Sequence, residues 1–243
     1  MQRRSRLALS LAVGLALVSL AAWGAWWLHD SRSVQLFGHL VSGLETDQPV
    51  VALTFDDGPA MPYTDSVLAI LREQGVRATF FMVGNAVERY PELVQRVLNG
   101  GHQIANHSYS HRRLLLVSPG TVKHEVERTD SLLRAAGVVG SIPFRPPYGK
   151  RLVILPWYLW RTGRTTVMWT LEPDTYAQDR QAMVKYVQDR VRPGAIIILH
   201  VEIRSRTEGR AALRPIIEAL RSAGYRFVTV NELLQLGASK RSA

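Results

Sequence analysis

Asp56 and Asp57 stand side by side in Thr54-Phe55-Asp56-Asp57-Gly58-Pro59, directly after the apolar run Val50-Val51-Ala52-Leu53. The run reads as a buried strand, and Gly-Pro breaks it. Two carboxylates are therefore expected at a strand's end, where sites on α/β folds form. Like charges this close repel, and one carboxyl pKa rises unless a cation stands nearby. A metal ion resolves the conflict: one Asp becomes a ligand and the other stays free as a base.

The chain has no cysteine, which removes thiolate chemistry, zinc ribbons and disulfides and leaves His, Asp and Glu as ligands. Of its seven histidines, His107 and His111 are four apart in Asn106-His107-Ser108-Tyr109-Ser110-His111. That spacing predicts two imidazoles on one side of a helical turn, a common way to hold one ion. An isolated pair of this kind is more often surface or satisfied core histidine. Beside a strand-end Asp-Asp it gains weight as a metal site.

Four motifs follow one another in order: Thr54-Phe-Asp-Asp-Gly-Pro59, His107-Ser-Tyr-Ser-His111, Arg145-Pro-Pro-Tyr-Gly149 and Ile198-Leu-His200. Together they resemble the polysaccharide deacetylase family (NodB homology, carbohydrate esterase family 4), over about residues 48 to 237. The resemblance implies a divalent metal, usually zinc, on Asp57, His107 and His111, with cobalt, nickel, manganese or iron(II) as other possible ions. Three protein ligands leave a position open for chemistry. It also implies that Asp56 is the general base toward the attacking water and that Arg145 orients that base. By the same resemblance, the backbone N–H of Tyr148 is expected to hold the oxyanion and His200 to be the general acid for the leaving amine. The substrate is then an N-acetylated polysaccharide, and the products are acetate and a free amino sugar.

One motif departs from the family's pattern. After the strand Thr166-Val167-Met168-Trp169 comes Thr170-Leu171-Glu172-Pro173-Asp174-Thr175-Tyr176. The family carries an Asp and an Asp-Trp pair there, and one of those carboxylates orients the acidic His. Glu172 is favoured for that role by its spacing from Trp169, with Asp174 the alternative. Arg145 also has a plainer reading, an ordinary ion pair near a Pro-rich turn. His124 reads as solvent-facing, His102 as structural, and Asn106 as a residue that positions His107 or makes a turn. Trp157, Tyr158 and Trp160 read first as core and second as a sugar-stacking surface.

These residues need elements to position them. Runs at 50–55, 78–83, 103–105, 166–169, 195–199 and 226–230 read as strands, and 64–74, 91–98, 121–136, 180–191 and 209–223 as helices. Strand-helix alternation predicts an α/β fold with a parallel sheet or barrel. The family resemblance narrows this to an irregular (β/α) barrel of about seven strands, with catalytic residues at the strands' C-terminal ends.

The segment before residue 48 is a separate matter. Arg3, Arg4 and Arg6 precede Leu7–Leu28, 22 residues without a charge, and ~20 apolar residues span a bilayer. The basic flank predicts a cytoplasmic N-terminus, and Trp23, Trp26 and Trp27 fall where an aromatic belt sits. A cleaved secretory signal is the competing reading, but a small-x-small site before the tryptophans is poorly formed. Either way the catalytic part is exported, as a single-pass membrane protein or a secreted one. The expected organisation is an anchor at 1–28, a tether at 29–47, the catalytic domain at 48–237 and a tail at 238–243.

The net charge of +10 favours anionic partners such as cell-wall polymers or lipid headgroups. Nucleic acid is not expected, because an exported chain does not meet it usefully. The leading reading is a membrane-anchored deacetylase acting on peptidoglycan or a chitin-like N-acetylglucosamine polymer. The same residues would serve an esterase on acetylated xylan or an amidohydrolase on a non-sugar amide. A glycan-binding protein with a dead site is a third reading, and the intact set of ligands and acids argues against it.

Overall fold

The computed structural model describes residues 2–241. The side chains of Arg3 and Arg4, the expected basic flank, and the end of the expected tail lie outside the described residues.

The chain opens with helix α1 (Gln2–Asp30), followed by strand β1 (Leu40–Val41), β2 (Val50–Gly58), α2 (Tyr63–Glu73), β3 (Thr79–Met82), α3 (Gly84–Arg89), α4 (Pro91–Asn99), β4 (Gln103–Asn106) and α5 (Pro119–Ala135). After a single 3₁₀ turn at Pro147–Gly149 come α6 (Ile154–Arg161), β5 (Thr166–Val167), α7 (Pro173–Tyr176), α8 (Arg180–Arg190), β6 (Ala195–Leu199), α9 (Thr207–Ser222), β7 (Arg226–Val228) and α10 (Val230–Arg241). Every strand pairing is parallel, in the order β4-β3-β2-β6, with β7 also on β2 and β1 on β5. The α/β architecture is the expected one. Isolated bridges Asn106–Phe144, Phe144–Thr166 and Leu171–Ile197, rather than continuous ladders, link β4 to β5 and the β5 region to β6, an arrangement consistent with the expected irregular barrel without closing one.

β2 and β6 are the centre. Both are buried on both faces, which is why Val50-Val-Ala-Leu53 and Ala195-Ile-Ile-Ile-Leu199 are unbroken apolar runs instead of alternating ones. Phe55, Phe80, Leu199 and Ile216 pack on one side of the sheet, and Phe81, Met168 and Ile198 on the other.

Two expectations change. Residues 31–47 are not a free tether. β1 pairs with β5, the Leu44 N–H donates to Gly194 O at 2.9 Å, and Phe37 stacks on Trp160. At the other end, α10 runs through 238 to Arg241, because Leu233 and its neighbours continue the apolar cover over β2. Among the described residues α1 is the one helix long and apolar enough to cross a membrane, and none of that stretch is buried in the protein.

Candidate metal centre and catalytic cleft

Neighbouring residues on a strand point to opposite faces, so Asp56 and Asp57 ought to diverge. They do not, because β2 bulges there. Asp56 pairs with Phe81 and Gly58 with Met82, which leaves Asp57 as the extra residue, at φ 73°. Asp is among the few side chains that tolerate this left-handed conformation. The bulge turns both carboxyls into one cleft.

His107 and His111 reach the same point from the loop after β4, not from a helical turn as their spacing suggests. Ser108 and His111 have φ of 67° and 57°, so the loop doubles back on itself. It is fixed by the buried Glu125 carboxylate on α5, which accepts from Tyr109 N (3.0 Å), Ser110 N (2.8 Å) and Ser110 Oγ (2.6 Å). Asn106 adds to this: its Oδ1 accepts from Ser108 N at 2.7 Å, while its Nδ2 donates to Asp130 and to Val126 O. Asn106 therefore positions the ligand loop.

One coordinating atom each of Asp57, His107 and His111 lies within 4.8 Å of the others. His111 Nε2 is 3.0 Å and His107 Nε2 3.5 Å from Asp57 Oδ1. His107 Nδ1 lies 2.8 Å from the Arg145 carbonyl, so it carries a proton there, and Nε2 is the nitrogen that faces Asp57, where a second proton and a metal ion would compete. Asp57 Oδ1 is buried and accepts no hydrogen bond. A buried carboxylate oxygen without a donor, facing two imidazole nitrogens, suits a divalent cation. Burial works to raise the Asp57 carboxyl pKa, yet the two imidazoles beside it hold it far below the usual carboxylate range. Burial likewise works to lower His107, but Asp56 and Asp57 raise it. The cluster thus draws positive charge, proton or metal.

Asp56 is held differently. Arg145 Nη1 donates to Asp56 Oδ1 at 2.6 Å and to Thr54 Oγ1 at 2.9 Å. Arg145 is wholly buried, with its guanidinium 3.9 Å from the Phe81 ring centroid and further bonds to the Val167 and Met168 carbonyls. Asp56 Oδ2, 3.5 Å from His107 Nε2, faces the Asp57–His107–His111 cluster. The Arg145 loop also carries Tyr148, at φ 58°, whose exposed ring packs 4.7 Å from that of His111.

His200 follows β6 on the opposite wall. Its partner is Asp174, not the favoured Glu172. The His200 N–H donates to Asp174 Oδ2 at 2.7 Å, and Nδ1 lies 3.2 Å from the same oxygen. The reason is Pro173, which starts α7 and turns Asp174 inward against β6. Glu172 faces away, accepting from Trp169 Nε1 (2.9 Å), Thr175 Oγ1 (2.9 Å) and Arg32 Nη2 (3.1 Å). Burial pulls the His200 pKa down, but the Asp174 hydrogen bond and charge, with Asp56 and Asp57 beyond, raise it to about 9. His200 is thus a charged acid at neutral pH.

These groups line one cleft of about 850 Å³, together with Tyr148, Trp169, Tyr176, Arg32, Arg113 and Arg206. The aromatic wall is Tyr148, Trp169 and Tyr176, not the Trp157–Trp160 cluster, whose helix α6 packs against α5 with Tyr158 buried. His102 is structural, as expected: its Nδ1 accepts from Ala78 N, and burial with Arg77 nearby lowers it to about 4. Sequence reasoning passed over Glu125, Arg32 and Glu202. Glu202, 2 % exposed, lies behind the Asp57 turn with Oε2 unpartnered and Oε1 bonded to Thr64. A carboxylate two residues past His200, in an otherwise apolar stretch, was its only signal.

Residues 43–167 match the family model described as polysaccharide deacetylase. A Bacillus cereus protein named peptidoglycan-N-acetylglucosamine deacetylase is 34 % identical over 207 residues, 84 % of this chain and 97 % of that one. The crystal structure of a peptidoglycan N-acetylglucosamine deacetylase superposes with a TM-score of 0.75 at 30 % identity, covering 80 % of this chain and 92 % of that one. A Bacillus anthracis protein described as a CE4 family pseudoenzyme superposes with a TM-score of 0.73 at 25 % identity, over 82 % of this chain and 70 % of that one. Active and inactive relatives thus share the architecture, and the site residues must decide between them. On the matched model and the extent of these similarities, the chain belongs to the polysaccharide deacetylase family.

Proposed function

We propose that this protein is a zinc-dependent N-deacetylase of an N-acetylglucosamine polymer in the cell envelope, peptidoglycan first among the candidates. One observation carries the reading: the Asp57–His107–His111 cluster is flanked by a carboxylate fixed by a buried Arg and by an imidazole fixed by a buried Asp. A dead binding module has no use for two oriented proton carriers on opposite walls.

Asp57, His107 and His111 would hold the ion. When bound it supplies a Lewis acid and lowers the pKa of water. Asp56, held in place by the Arg145 guanidinium, takes the proton from the attacking water through Oδ2. The Tyr148 N–H steadies the oxyanion that forms from the acetyl carbonyl. His200, kept protonated by Asp174, hands a proton to the departing amine. Tyr148 and Tyr176, both exposed on the cleft, offer ring surface to the sugar. The catalytic unit in this reading extends from the segment after α1 through α10, and α1 is a single-pass anchor that places it outside the cytoplasm.

The test is acetate release from peptidoglycan, chitin oligomers, poly-N-acetylglucosamine and acetylxylan, with zinc or cobalt added. Acetate from the amide substrates supports the proposal. Acetate from acetylxylan alone makes the protein an esterase, and none at any metal loading makes it a binding module.

A further inference from the structure

The span and the cleft are joined by almost no free chain. α1 ends at Asp30, and Asp30 and Arg32 already line the catalytic cleft. Helical hydrogen bonding persists to the last turn, with the Ser31 N–H donating to Trp27 O at 3.0 Å. The joint is locked by a buried cation: Arg151, 1 % exposed, donates to Ser31 O (2.7 Å), Val34 O (2.9 Å) and Gly149 O (3.0 Å). Gly149 belongs to the same loop as Arg145 and Tyr148, so the juxtamembrane segment is bonded to a catalytic loop. Lys150, next in that loop, pairs with Asp30. Arg32 crosses to the far wall, donating to Glu172 at 3.1 Å and to the Tyr176 hydroxyl at 2.7 Å, with its guanidinium 4.9 Å from the Trp169 ring centroid.

The exposed Trp23, Trp26 and Trp27 mark the membrane interface on α1. At 1.5 Å per residue, Trp27 and Asp30 are separated by about 4.5 Å along the axis. Headgroups occupy roughly 5–8 Å on each side of the hydrocarbon core. Asp30 and Arg32, and with them the cleft's rim, therefore lie at headgroup depth. Arg113 and Arg206 add two wall cations that have no carboxylate partner among the described residues, which suits an anionic surface.

We infer that this enzyme takes its glycan at the membrane surface, as an N-acetylated saccharide carried on a lipid, with residues 30–35 forming one wall of the cleft. The inference rests on the deacetylase reading and on an uncleaved α1. A flexible tether would let the domain roam the wall, whereas this joint keeps the cleft on the bilayer.

The test uses the full chain with zinc in phosphatidylglycerol-containing vesicles. Two substrates are offered at equal total concentration: an N-acetylglucosamine oligosaccharide linked through phosphate to a long-chain lipid in the same vesicles, and the free oligosaccharide. The lipid-linked form is expected to release acetate roughly tenfold faster or more, through its higher effective concentration at a fixed cleft. A Gly/Ser insertion of about 20 residues between Leu28 and His29, with a root-mean-square span of ~25 Å, is expected to abolish that preference and leave the free-substrate rate unchanged. Equal turnover of both substrates by the parent, or a preference untouched by the insertion, overturns the inference. If the insertion also lowers free-substrate turnover, the parent's preference alone decides. A mature N-terminus beyond Leu28 overturns the inference but spares the deacetylase reading. Absence of acetate from both substrates overturns the deacetylase reading, and the inference with it.

Discussion

The Glu202 carboxyl fills the space that a Cβ on Gly58 would need. Gly58 does not lie in the left-handed region, so its backbone would accept alanine. Space alone, not conformation, requires glycine there. Gly58→Ala should therefore destabilise the protein by ~1–3 kcal/mol, the range for overpacking a dense site. Glu202→Ala leaves Thr64 without its acceptor and should be destabilising too. The double variant should be clearly more stable than the sum of the two losses, because one change makes room for the other. Thermal or denaturant unfolding of the four proteins measures this coupling, and simple additivity would refute the steric relationship.

The same carboxyl predicts a pH effect on stability. Burial raises the Glu202 pKa to about 8, with Asp57 and Asp56 adding to the rise against the Thr64 hydrogen bond. Between the unfolded value of 4.5 and about 8, the folded protein holds a proton that the unfolded chain has released. Folding stability from this residue therefore falls as pH rises across that window. Gln cannot ionise and still offers an oxygen to Thr64. In metal-free protein, the Tm of Glu202→Gln should gain on the parent's from pH 5 to pH 8. A Tm difference that stays flat over this range would mean that Glu202 is ionised in the fold.

Asp174 and Glu172 can be separated by the alkaline limb of activity. A general acid must be protonated, so turnover falls as pH rises through the folded pKa of His200. Asp174 is the main group that raises it. Asp174→Asn should move the alkaline limb toward lower pH and reduce kcat at pH 8 more than at pH 6. Glu172→Gln should leave the limb in place, because its oxygens face Trp169, Thr175 and Arg32. A limb that shifts with Glu172→Gln and not with Asp174→Asn would restore the assignment that spacing favoured.

Why spacing misled here is physical. Glu172 and Asp174 are two apart, and on a continuing strand they would share a face. Pro173 ends that regime by starting a four-residue helix, and a helix this short leaves no periodic trace in sequence. The same holds for His107 and His111, whose i,i+4 spacing is met by a doubled-back loop on Glu125. That Asp57, His107 and His111 would meet was legible because metal chemistry draws on those residue types. The bulge at Asp57, the Glu125 cradle and the Arg151 joint were not, because each depends on partners at least 15 residues away in sequence. The central strands were legible because β2 and β6, buried on both faces, permit only apolar residues before the site. The α1 hydrophobic run was equally plain, but nothing in residues 29–47 announced a packed segment, since its hold on the domain runs mostly through backbone carbonyls.

Asp56 and Asp57 are neighbours with opposite expected losses. Asp57→Ala removes one of three ligands and should lose bound zinc and activity together, by metal analysis after gel filtration. Asp56→Asn keeps the three ligands, so zinc should stay near one per chain while kcat falls ~10²–10⁴-fold, the worth of a general base. That variant also strips the buried Arg145 of its counter-charge, and removing one partner of a buried pair costs about 3–5 kcal/mol. A lower Tm is therefore part of the expectation, and activity must be compared below it. Metal binding is also coupled to proton release. Without metal, Asp56 and Asp57 hold the His107 pKa above its ordinary value, so zinc must displace a proton from the imidazole. Zinc binding should release protons, and its affinity should fall as pH drops below that raised value. Calorimetry in buffers of different ionisation enthalpy reads the proton directly. Tight, stoichiometric zinc in Asp57→Ala, or near-normal turnover in Asp56→Asn, would place the metal or the base on other residues.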